Sequence, residues 1–128
     1  MAAFLVAGRL LVALMFFYSG WTALADIPGT SAYFAGLGFP FPVLVTAGTG
    51  IFEIVVPLLL VVGFQARLAA AALAAFSVVA TCTGHFGAGE GAMAFWHTQM
   101  FLKDIAVAGG LIAFAAYGPG AWSLDARG

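Results

Sequence analysis

The stretch FPVLVTAGTGIFEIVVPLLLVVGF, Phe41–Phe64, decides how this chain folds. It carries a single ionisable side chain, Glu53, in an otherwise uncharged and mostly apolar run. At about 1.5 Å of rise per residue, a helix of this length spans a hydrocarbon core about 30 Å thick. Lipid offers a peptide group no hydrogen bonds, so the run is expected to be an α-helix that satisfies its own backbone. A carboxylate inside it needs a partner, a proton or a purpose, and the rest of the chain has to supply one.

Runs at about 4–25, 68–85 and 100–117 have the same character. The expected fold class is all-α: a polytopic membrane protein whose four transmembrane helices form one bundle and one domain over 1–128. Composition agrees. The chain is 64% hydrophobic and 7% charged, with a mean hydropathy of +1.12, whereas soluble domains are about one quarter charged. A lipid bilayer is therefore the first partner. A net charge of -1 excludes nucleic acid, which requires a basic footprint. The single cysteine, Cys82, allows neither an internal disulfide nor a cysteine zinc site, and reads as a small packing residue. Ala23-Leu24-Ala25 has the look of a signal-peptidase site, but Arg9 sits inside the apolar run rather than ahead of it, so the first run is kept as a helix.

The turn Gly63–Arg67 is short enough to make the second and third helices antiparallel neighbours. In the longer loop DIPGTSAYFAGLGFPFP, Thr30 or Ser31 is expected to cap a short interfacial helix over Ala32 to Leu37, stopped by Gly38 and Pro40. FGAGEGAMAFWHTQ, between the last two runs, reads as a second interfacial loop. Arg9, Arg67 and Arg127 gather on one side, which predicts cytoplasmic termini in a bacterial-type inner (plasma) membrane.

Helical spacing gives each run a polar or small stripe. These are Arg9, Ala13, Phe16 and Gly20; Thr46, Thr49, Gly50, Glu53 and Pro57; Ser77, Thr81 and His85; and Gln99, Lys103, Ala106, Gly110 and Ala113. All four are expected to converge on the bundle interior. Counting along the helices puts Glu53 about 14 Å and Arg9 about 8 Å from the inner ends, a gap that an arginine can close. A Glu53–Arg9 pair is expected within a buried polar core that includes Thr49, Ser77 and Thr81. His85, Lys103, Asp104, His97 and Glu90 form a second, outer cluster. Against these readings stand plainer ones: charge used as packing glue, a protonated Glu53, and His85 facing headgroups. His85 and His97 lack the close spacing of a metal or haem pair, so no metal site is expected. The alanine lines Ala66, Ala70, Ala74 and Ala71, Ala75 should make the third and fourth helices the tightest pair.

Three segments carry a family resemblance: GRLLVALMFFYSGWTAL, FEIVVPLLLVVGFQARLAA and FLKDIAVAGGLIAFAAYGPGAWSLD. With the glutamate of the second helix, the G-x-x-x-R turn ending at Arg67, the lysine of the fourth helix and the closing G-x-G-x-x-S-L-D, the chain resembles the DoxX family of small four-helix membrane proteins. It departs from the family's pattern at Asp104, where asparagine is common. The resemblance implies a place beside redox systems, in subunits like the small partners of a thiosulfate:quinone oxidoreductase or in oxidative-stress complexes. Arg9, Glu53, Arg67, His85 and Lys103 match family positions and are carried over as candidates. Three functions follow: a redox-linked subunit with a quinone pocket near Glu53 and His85, a non-catalytic assembly subunit, and a small proton-coupled transporter. An accessory subunit fits the sparse inventory better than a complete enzyme. Other redox subunits are the expected protein partners, and homo-oligomerisation is compatible with the sequence.

Overall fold

Five helices form in the computed structural model, which describes residues 1–126; Arg127, counted above among the arginines of one side, lies outside the described residues. They are α1 (Ala2–Ala25), α2 (Ile27–Gly36), α3 (Pro42–Val62), α4 (Ala66–Gly84) and α5 (Ala92–Tyr117). All but α2 are long and apolar enough to cross a membrane. Their outward faces carry large apolar side chains such as Phe4, Leu11, Leu44, Leu68 and Ile112, a surface suited to lipid and not to water.

Two boundaries differ from expectation. The short helix starts at Ile27, because the Asp26 carboxylate accepts the Gly29 N–H at 3.1 Å and Pro28 favours a first turn. Ser31 is thereby freed from capping, and its hydroxyl donates to Thr46 Oγ1 at 3.1 Å, tying α2 to α3. The last helix starts at Ala92, eight residues before the apolar run at Met100, so the expected interfacial loop is half helix. Nothing from Ala92 to Gln99 breaks a helix, whereas Gly87, Gly89 and Gly91 just before it all have positive φ.

The strongest pairings are α4 with α5 and α1 with α3, joined through α3 and α4. Ala66, Ala69, Ala70, Leu73 and Ala74 of α4 are buried, with Ala108 and Leu111 from α5 in the same core. Ala71 and Ala75 face outward, so only the first alanine line packs. Cys82 is likewise exposed rather than packed. In the other pair α1 and α3 approach closely at two glycines. A Cβ on Gly20 would sit 2.8 Å from the Gly50 carbonyl oxygen, and one on Gly50 would sit 2.7 Å from the Leu24 side chain.

Arg9 does not pair with Glu53. Its guanidinium donates to the Leu60 carbonyl at 3.1 Å, the Val61 carbonyl at 2.8 Å and the Trp122 carbonyl at 2.6 Å. The depth count failed because α1 extends past the end of α3, so Arg9 lies level with the last turn of α3 and more than two helical turns from Glu53. There it satisfies carbonyls that a helix C-terminus leaves unpaired and places positive charge where the helix dipole favours it. The segment after α5 completes the account. Leu124 N–H bonds the Val62 carbonyl at 3.0 Å, Asp125 N–H bonds the Gly63 carbonyl at 2.8 Å, and Phe64 N–H closes on Leu59 at 3.0 Å. The Asp125 carboxylate then accepts the N–H groups of Gln65 and Ala66 at 2.7 and 2.8 Å, capping α4. Arg67 reaches the Tyr117 carbonyl at 3.2 Å. The S-L-D motif and both arginines thus build one clasp at the end of the bundle that ties α1 and the segment after α5 to the α3–α4 turn.

Candidate functional site

At the opposite end the helices leave a cavity of about 440 Å³, within the range typical of small-molecule sites. Its polar wall is Ser19 of α1, Thr49 and Glu53 of α3, Ser77, Thr83 and His85 of α4, and Asp104 of α5. Phe16, Phe34, Phe39 and Phe76 supply most of the aromatic surface. The expected two polar clusters therefore open into one space: Glu53 lies toward its floor and His85 toward its far rim. α2 covers part of this space. Its Tyr33, Phe34 and Leu37 line the cavity, and a Cβ on Gly84 would meet the Tyr33 hydroxyl at 2.8 Å.

Glu53 reaches this position through the glycine contact described above, since the α1 backbone at Gly20 passes beside it. Ser19 of α1 lines the same cavity wall as Glu53. One turn further along α3, Pro57 has no N–H to offer the Glu53 carbonyl, which concentrates polar groups at this level. On α4, Ser77 and Thr81 are buried, and neither hydroxyl has a hydrogen-bond partner among the described residues. A buried hydroxyl without a partner is costly and calls for an explanation. Ser77 is among the residues that line the cavity.

At the rim, His85 Nδ1 and His97 Nδ1 are 2.8 Å apart. One ring must donate and the other accept, so the two nitrogens share a single proton. The bond links the C-terminal end of α4 to the second turn of α5, which is why the extension of α5 to Ala92 matters for the site. Of the remaining expected members of the outer cluster, Asp104 lines the cavity but Lys103 and Glu90 are exposed. Consecutive residues on a helix point about 100° apart, so Lys103 and Asp104 cannot both face inward. Packing turns the His97, Phe101, Asp104, Ala108 and Leu111 side inward. The sequence reading missed Ser19, which was hidden between aromatic residues, and Asp125, whose motif was visible without its role. Among the described residues no three histidine, cysteine, aspartate or glutamate side chains gather as a metal site would require.

A bundle of four apolar spans, clasped at one end and opening at the other into a cavity lined by polar and aromatic side chains, defines a small integral membrane protein. The chain belongs to the DoxX family, whose profile matches residues 4–86. It is similar to two inner membrane proteins of Escherichia coli K12. It is 30% identical to YphA over 96% of this chain and 89% of that protein. To YqjF it is 28% identical, over 94% of this chain and 88% of that protein. No solved structure matches it.

Proposed function

We propose that this protein is an accessory membrane subunit of a redox system and that its cavity holds a lipophilic quinone. One observation supports this reading: a cavity with phenylalanines on its walls that is lined also by Glu53 and by Ser77, whose buried hydroxyl has no partner among the described residues. A quinone fits such a space because it is flat, apolar and edged by hydrogen-bond-accepting oxygens. When bound, it supplies two-electron, two-proton redox chemistry, with electrons from a partner redox protein. The chain's own residues bind and handle protons. Ser77 donates to a ring oxygen, the phenylalanines hold the ring, and Glu53 holds or releases a proton beside it. The His85–His97 pair stands where protons would enter from the rim. Arg9 and Arg67 at the clasp end favour cytoplasmic termini by the positive-inside rule.

The test is spectroscopy and solvent extraction of purified protein, which should yield quinone. Glu53→Gln should cut quinone-dependent turnover of the parent complex by roughly 10²-fold, as expected for loss of a general acid or base. Repeated absence of quinone, together with unchanged turnover, would remove the redox reading. A second reading, an assembly subunit without chemistry of its own, is favoured by the clasp, which gives this small chain a rigid end. It expects full complex activity after Glu53→Gln and loss of the complex when the protein is absent.

A further inference from the structure

Hydrogen-bond chemistry limits how much charge the His85–His97 contact can carry. A neutral imidazole has one N–H and one bare nitrogen, so two neutral rings close the 2.8 Å Nδ1–Nδ1 contact with one proton between them. A further proton on the far nitrogen of the donor ring keeps that bond and strengthens it, because the donor is then charged. One more proton ends it. Both Nδ1 atoms then carry hydrogen, neither can accept, and two cations face each other. Histidine is the side chain whose ordinary charge change falls between about pH 5 and 8.

What this bond holds is the start of α5. Among the described residues, no other hydrogen bond from a side chain outside α5 reaches its first two turns. Those turns follow a loop in which Gly87, Gly89 and Gly91 have φ of +68°, +77° and +58°, a region that glycine enters freely, so the loop can absorb a change of direction as a hinge does. The loop closes on the pair, since a Cβ on Gly89 would sit 2.9 Å from His97 Cδ2. One turn beyond the pair, Phe86 and Phe101 stack with centroids 5.2 Å apart and give α5 a pivot. Both sides of the contact border the cavity, through Gly84 and His85 on one side and Met100 and Asp104 on the other. We infer that the pair is an acid-released latch on the cavity: its shared proton holds the start of α5 against the end of α4, and full protonation of both rings frees it and widens the rim. The neighbouring groups supply no substitute tie. Asp104 and Glu53 line the cavity as carboxylates that can receive a ring N–H once the rings part. Glu90, Lys103 and Cys82 are exposed, and the Tyr33 hydroxyl of α2 lies against Gly84. The consequence for ligand entry rests on the cavity reading above, whereas the movement needs no ligand and is measured without one.

The test uses the full chain in phosphatidylcholine nanodiscs, with nitroxide labels on Cys82 and on Thr98→Cys. Both positions are exposed, and each lies within one turn of one ring of the pair. Dipolar broadening between the labels should be strong at about pH 8, largely lost at about pH 5, and restored on returning to the higher value. The double variant His85→Gln, His97→Gln keeps two groups that can bond each other but do not titrate, so its broadening should persist at both values. His97→Ala should lack the broadening at both. A parent spectrum that does not change with pH overturns the latch. So does an acid-induced loss that survives in the double glutamine variant, which would assign the movement to Asp104, Glu53 or Glu90. Strong broadening in His97→Ala at the higher value overturns it too, because the pair would then not be what holds the helix. A latch that responds in a protein that binds no quinone would support the release and remove only the quinone reading.

Discussion

Arg9→Met should destabilise the protein by about 3 kcal/mol or more, given that hydrogen bonds from a charged group contribute roughly 1.5–3 kcal/mol each. Methionine keeps most of the apolar volume but none of the donors. The Leu60 carbonyl retains its bond from Gly63 N–H at 3.2 Å, whereas the Val61 and Trp122 carbonyls lose the donor they have. The Trp122 contact is also what draws the C-terminal segment onto α1, so the loss should spread to the Asp125 cap. Limited proteolysis should therefore cut after Tyr117 in the variant under conditions where the parent resists. Arg9→Lys should fall between the two, since an ammonium keeps the charge but cannot span three carbonyls as a guanidinium does. Chemical unfolding in detergent micelles measures all three. An Arg9→Met protein as stable as its parent would mean that the clasp does not hold the bundle.

Gly20→Leu should be comparably damaging, by about 3 kcal/mol, at the upper end of the range for overpacking. The atoms it would meet are the Gly50 carbonyl oxygen at 2.8 Å and Glu53 Cβ and Ile54 Cγ1 at 3.0 Å, even before the rest of the side chain is added. A backbone carbonyl cannot rotate aside as a side chain can, so the two helices must part. Because that contact also positions Glu53, ligand binding in the cavity should fall with stability. Gly48→Leu is the matched control, since a Cβ there would meet nothing within 4 Å. Thermal unfolding should separate the two by several degrees. Equal midpoints would contradict the close crossing of α1 and α3.

Helix number and type were legible in the sequence because hydropathy over some twenty residues is a strong, local signal. So were the inward faces of α1, α3 and α4, where Arg9, Gly20, Gly50, Glu53, Ser77 and Thr81 all proved buried. Depth was not legible. Counting from the edge of an apolar run assumes that every helix starts at the same level, and α1 overshoots α3 by enough to move Arg9 to the clasp. The start of α5 escaped for a related reason: Trp96, His97 and Gln99 are polar enough to end an apolar run, yet none of them ends a helix. The face of α5 was misread because two candidate stripes sit side by side there. Periodicity finds stripes, but whether a stripe meets a neighbouring helix or lipid is a tertiary fact. Lys103 and Asp104 are adjacent in sequence and point to different worlds.

The central claim is that the space between Glu53 and the His85–His97 pair is a receptor for an apolar, oxygen-edged ligand. Titration of purified protein with a short-chain benzoquinone, followed by its unfolding free energy, tests this most directly. At a hundredfold excess over Kd, binding to the folded state should add about 2.7 kcal/mol. Ala80→Trp, at an exposed position that lines the cavity, should abolish the gain while leaving the ligand-free stability in place. No gain in the parent, or the same gain with that indole filling the space, would contradict the claim.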